Sequence, residues 1–162
     1  MTIELVTIGA YGWLPDRFFA ALVAAGVDTF CDIRARRGVR GAEYSFANSA
    51  RLQARLAELG ILYIHCKELA PSAATRETQG AADKTSQTAK RQRSVLSPAF
   101  VVAYLRERLM GFDSAAFVAA LGPEAHVVAL FCVERAPAAR HRSLVADRLT
   151  RDLGAKVNNL IP

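Results

Sequence analysis

Apolar residues along this chain fall into short continuous runs, separated by stretches with a helical period. "IELVTI" ends at Gly9 and reads as a buried strand. Pro15 and Asp16 open a helix that puts Phe18, Phe19, Leu22 and Val23 on one side, and Gly26 stops it. "VDTFCDI" predicts a second strand. After a basic loop, "NSARLQARLAELG" spaces Leu52, Leu56 and Leu59 for a second helix, with Asn48 or Ser49 as cap and Gly60 as stop. "ILYIH" is a third strand. The pattern then lapses. Residues 67–95 are polar, small and nearly free of large apolar side chains, too long for an ordinary connection, and predict a flexible insertion or flap. "LSPAFVVAYLRERLMG" restores the helical period, with Ser97 capping and Pro98 in the first turn. "DSAAFVAALG" adds a short helix capped by Asp113, "HVVALFC" a fourth strand, and "AKVNNLI" a candidate fifth after one more helix.

Strands this continuous in Val, Ile, Leu and Phe, alternating with helices, predict a mainly parallel sheet covered on both faces. The expectation is a single three-layer α/β domain over residues 1–162 with about five strands. Strand order is not legible from the pattern. In such sheets ligands bind beyond the carboxyl ends of the strands. Four loops therefore converge at one edge: "GAYG", "RARRGVRG", "HCKEL" and "VERAPAARHR". The polar and charged residues concentrate where that geometry places a site.

Composition narrows the picture modestly. A content of 52% apolar and 22% charged residues describes a folded globular chain and excludes a disordered one. No apolar run approaches the roughly 18 residues that span a bilayer, and the N-terminus lacks a basic start before an apolar segment. Three cysteines, Cys31, Cys66 and Cys132, are widely spaced with no CxxC pair, which favours reduced thiols and a cytoplasmic location. The formal charge of +6 and pI near 9.7 draw the chain toward anions without selecting one. Its distribution says more: Arg34, Arg36, Arg37 and Arg40 form one cluster, Lys90 to Arg93 a second, and Arg135, Arg140 and Arg142 a third.

The third cluster is unusual because it meets the start of a helix, where carboxylates are the stabilising side chains. Pro137 suits a first helical turn, so the helix is expected to start there. Leu144, Val145, Leu149 and Leu153 then define its buried stripe, with His141 and Arg142 beside it and Arg140 opposite. Each cation at such a position costs about 0.3–1 kcal/mol against the dipole, and a bound anion or Glu134 reverses the penalty. A purely structural alternative pairs Asp32 with Arg34 and Glu134 with Arg142 as an ionic network.

The blocks "TIGAYG", "DIR" at Asp32 to Arg34 with Arg40, "YSFANSARL", "GILY", "LFCVE" and "RHR" occur in order along nearly the whole chain. They resemble domain-of-unknown-function family 488, whose members look like "TIGYG", "DVR", "FS" before a leucine-patterned helix, "GIxY", "LLCxE" and "CHR". The resemblance implies a small α/β fold with a shared polar site. Four departures mark the chain: Ala10 is extra, the proline usual after "DVR" is missing, Arg140 replaces the cysteine of "CHR", and "VNNLI" lacks a histidine. Thiol chemistry resting on that cysteine should be absent, and position 140, facing away from the core, should tolerate the change.

Two functions compete. The first is a hydrolase or group transferase acting on a phosphate-bearing or nucleotide-like substrate. Glu134 would be base or nucleophile and Asp32 a second carboxylate, with His141 as acid or phosphate ligand. Arg34, Arg40 and Arg142 would clamp the anion, and Gly9, Tyr11 and Gly12 would shape the floor. The second is a non-catalytic nucleic-acid-binding module using the basic loops. A weaker third idea is thiol chemistry, since "DIRARRGVRGAEYS" faintly resembles sulfurtransferase sequences. Cys132 lacks the arginine six positions on that such a loop needs, because Ala138 stands there, so a small buried residue is the expectation. No dinucleotide or P-loop signature is present. His65, His126 and His141 show no metal spacing, no resident cofactor is expected, and Asp32 with Glu134 could hold a magnesium ion on substrate phosphates.

Overall fold

The computed structural model describes residues 2–86, 95–133 and 140–162. Five strands, β1 (Glu4–Gly9), β2 (Thr29–Asp32), β3 (Leu62–His65), β4 (Val127–Cys132) and β5 (Lys156–Leu160), form one all-parallel sheet ordered β3-β2-β4-β1-β5. The helices are α1 (Pro15–Ala24), α2 (Ser49–Glu58), α3 (Ala73–Ser86), α4 (Pro98–Tyr104, continued as a π-turn over Leu105–Leu109), α5 (Ser114–Leu121) and α6 (His141–Leu153). The three-layer α/β architecture expected from the pattern is the one observed.

The strand period of two divides the core cleanly. Leu5, Cys31, Val128, Leu130 and Cys132 face α4, α5 and α6, packing on Phe100, Tyr104, Phe117, Val145 and Leu149. Val6, Ile8, Phe30, Ala129 and Phe131 face the other way, onto Phe18, Phe19 and Leu22 of α1 and Leu52 and Leu56 of α2. Val23, expected on the buried side of α1, is instead half exposed, and Leu153 at the end of α6 is also exposed.

Several predicted stops and caps are in place. Gly26 and Gly60 adopt positive φ after α1 and α2, where a side chain would be strained. The Asp113 carboxylate accepts the Ala116 N–H at 2.9 Å, and the Ser97 hydroxyl accepts the Phe100 N–H at 3.1 Å. Asp113→Ala is expected to cost about 1 kcal/mol, read as a lower urea midpoint with unchanged slope. Asn48 flanks α2 but gives its side-chain oxygen to the Val39 N–H at 2.6 Å, tying the loop after β2 to the helix start.

The polar tract beyond β3 carries a helix that its composition hides. The residues that α3 buries are Thr75 and Gln79, not apolar ones. Thr75 donates to Glu107 at 2.5 Å, and Gln79 accepts the Ser97 N–H at 2.8 Å, so the helix is held against α4 by polar contacts. Residues 87–94, with the basic cluster at 90–93, lie outside the described residues.

Candidate functional site

Two clusters occupy the C-terminal edge of the sheet, one on each face. The first grows from the end of β2. Asp32 and Arg34 are two residues apart on an extended chain, so their side chains leave from the same face. Arg34 donates Nε to Asp32 Oδ1 at 2.9 Å and Nη2 to Oδ2 at 2.8 Å, a bidentate pair with Asp32 fully buried and Arg34 4% exposed. The Arg34 backbone N–H also reaches Oδ1, and the Tyr63 hydroxyl donates to Oδ2 at 2.7 Å. Four donors therefore occupy the Asp32 carboxylate, which makes it the counter-ion of Arg34. The guanidinium lies over the Phe131 ring at 4.7 Å. Its remaining nitrogen, Nη1, is buried with no hydrogen-bond partner among the described residues. Burial raises the Tyr63 phenol above its ordinary value; a long hydrogen bond from Arg37 opposes this and Asp32 adds to it.

The second cluster grows from the end of β4 and the start of α6. Cys132 Sγ is fully buried and accepts Arg140 Nε at 3.0 Å and Arg142 Nη1 at 3.4 Å. Burial alone would raise this thiol, but the charges and hydrogen bonds of Arg140 and Arg142 outweigh it and hold the pKa below the ordinary cysteine value. Among the described residues Arg142 is the largest fully buried side chain. His141 Nε2 bonds the Ile33 carbonyl at 2.9 Å and its ring lies 5.3 Å from that of Tyr104. His65 bonds the next carbonyl, that of Arg34, at 2.8 Å. The backbone just beyond β2 is thus held by one histidine from β3 and one from α6.

Two expectations about this helix are corrected. The helix starts at His141, four residues after the expected start, because Arg140 is extended (φ −136, ψ 145) and flanks it. Once Arg140 leaves the helix, its face is no longer set by the 3.6-residue period. It turns inward, is 6% exposed and meets Cys132, so the reading that position 140 faces away from the core does not hold. Cys132 is buried as expected, but as the acceptor of two guanidinium groups. Its arginines stand eight and ten positions on, which is why a search at position six misses them.

The other candidates spread around the same edge. Gly9 pairs in register with Cys132 across β1 and β4. Tyr11 is buried with its ring 5.1 Å from Tyr44, and Gly12, at φ 91, turns its N–H to the Tyr44 hydroxyl at 3.0 Å. That left-handed turn suits glycine alone. Arg40 is exposed on the loop after β2. Glu134, Arg135 and Pro137 lie outside the described residues. Asp32 with Arg34 and Cys132 with Arg140 and Arg142 therefore sit on opposite faces, joined through the Ile33–Arg34 backbone. An open surface cleft elsewhere, between β5 and α1, is lined by Trp13, Ala21, Asn158 and Leu160. Among the described residues no three His, Cys, Asp or Glu side chains gather as a metal site, and no helix is long and apolar enough to cross a membrane.

Fold and site together define a class: a three-layer α/β protein whose strand ends carry buried guanidinium groups on both faces of an all-parallel sheet. The chain belongs to the family described as domain of unknown function DUF488, whose model matches residues 14–149. That span holds both clusters and leaves out β1 with the "TIGAYG" block, and β5. No curated protein and no solved structure gives a match.

Proposed function

We propose that the strand-end site recognises a small phosphate-bearing or nucleotide-like anion and serves a hydrolase or group transferase. The observation that carries this reading is the convergence of Arg140 and Arg142 on one buried atom at the start of a 13-residue helix. Guanidinium donors that meet on a single sulfur can meet on a single oxoanion, and the helix N-terminus adds the same sign of potential. Arg34, whose buried Nη1 has no hydrogen-bond partner among the described residues, stands at the same edge on the opposite face of the sheet. The fully engaged Asp32 carboxylate keeps Arg34 in place in this scheme.

Calorimetric titration of the full chain with inorganic phosphate, ribose 5-phosphate and a nucleoside monophosphate tests it. Binding is expected for at least one of them, weakened at least about tenfold in Arg142→Lys, which keeps the charge and loses the fork geometry. Equal affinity in wild type and variant overturns the assignment. No affinity for any of the three, together with duplex DNA or RNA binding that collapses with added salt, makes the chain a nucleic-acid-binding module instead.

A further inference from the structure

We propose that the free edge of β5 receives a second copy of this chain, the two β5 strands pairing antiparallel across a two-fold axis to join both sheets into one. β5 is the outer strand, next to β1, and its residues from Lys156 to Asn159 are exposed. β1, β2 and β4 are instead buried beyond at most their first residue, as parallel strands covered on both faces are. An uncovered outer strand offers its unpaired backbone N–H and C=O groups to any strand laid beside it. Little here prevents that. β5 runs in register with β1 over all five residues, holds no proline and no bulge, and its one charge is Lys156 at the start.

The ground beside the strand suits a second cationic chain. A cleft of about 510 Å³ runs between β5 and α1, and none of the residues lining it is charged, Ala21, Ala24, Asn158 and Leu160 among them. In a chain with 22% charged residues and a formal charge of +6, that is where two copies approach with least repulsion. Lys156 itself has Glu4 as its in-register neighbour on β1. The small side chains of Ala21 and Ala24 let the α1 helices of two copies come close. A stable dimer buries roughly 800 Å² per partner, more than one short strand offers. The exposed side chains of Leu153, Val157 and Ile161, in and beside β5, extend the contact.

The residues of β5 select the two-fold arrangement. Centred on Asn158, an antiparallel pair sets Lys156 opposite Leu160, Val157 opposite Asn159, and Asn158 opposite its own symmetry mate. The two lysines then stand about 13 Å apart along the strand direction. A parallel pair in register puts them side by side, where like charges repel. Docking of β5 on the β3 edge of another copy is head-to-tail and does not close, so it leads to filaments. The antiparallel pair closes after two copies.

Sedimentation of the full chain over a range of micromolar concentrations is expected to show a reversible dimer of twice 17.6 kDa. Asn158→Lys, which places two cations at the axis, should weaken that dimer at least about tenfold while circular dichroism stays unchanged. Crosslinking decides the matter even if that variant does not fold. Asn158→Cys brings two thiols together across the axis and should give a disulfide-linked dimer under mild oxidation, whereas Lys156→Cys should give none. The three native cysteines are buried, so the link forms through the introduced one. A monomer at every concentration overturns the proposal, as does a dimer that Asn158→Lys leaves intact. Crosslinking through position 156 in preference to 158, or an assembly that grows without closing, overturns it equally.

Discussion

Asp32→Ala is expected to destabilise the fold by about 3–5 kcal/mol, because it strands a guanidinium inside the protein. Arg34 is 4% exposed and two of its three nitrogens are satisfied by the Asp32 carboxylate. The third already lacks a partner among the described residues, so the variant leaves a buried cation with no hydrogen-bonded counter-charge from β2. A fold of this size has about 5–15 kcal/mol in hand, so the loss is a large fraction of the total. Urea unfolding read by fluorescence and circular dichroism gives the number. The ion pair itself is a different matter from its breakage: replacing both members, Asp32→Ala with Arg34→Met, should recover much of the loss, since desolvating two charges offsets most of their attraction. Tyr63→Phe removes one further bond to the carboxylate and should cost only about 0.5–1.5 kcal/mol. An Asp32→Ala loss below about 1 kcal/mol would show that solvent reaches Arg34 and screens it.

The same pair shows how far residue patterns reach. That Asp32 and Arg34 share a face follows from the strand period, and their pairing was one of the open alternatives. That Cys132 and Phe131 must then lie on opposite faces follows from the same period. Strand continuity likewise made the covered parallel sheet legible. The order β3-β2-β4-β1-β5 was not, because each helical crossover can reach either side of the strand it leaves. The α3 helix is hidden from the apolar pattern for a chemical reason. Periodicity reports apolar burial, and Thr75 and Gln79 are buried through hydrogen bonds to Glu107 and Ser97. At α6 a single premise decided the outcome. Taking Pro137 as the first turn kept Arg140 in helical phase, and one extended residue before His141 was enough to bring it onto Cys132. The basic start of the helix pointed to an anionic partner, and the acceptor that the structure places there is a sulfur atom of the chain itself.

Phe18→Ala is expected to cost about 3–5 kcal/mol, through the lost transfer energy of the ring and the cavity it leaves. Phe18 is fully buried, and five aromatic rings surround it: Phe19 and Phe46 at 5.1 Å, Phe131 at 5.7 Å, Trp13 at 6.3 Å and Phe30 at 6.5 Å between centroids. Rings from α1, β2, β4 and the turn before α2 cannot all move inward to refill the space, so the cavity persists and the loss belongs at the upper end. Each edge-to-face contact adds its own share beyond buried area. The effect should also reach the strand ends. Phe131 packs against Phe18 on its side and carries the Arg34 guanidinium over its face at 4.7 Å. Loosening Phe131 therefore frees Arg34 to move off its stacked position while its bond to Asp32 persists. Equilibrium unfolding gives the first number, and titration with whichever anion binds the wild type gives the second. Reduced stability with weakened binding ties core to site through Phe131, whereas full affinity in a destabilised Phe18→Ala protein would show that Asp32 alone positions Arg34.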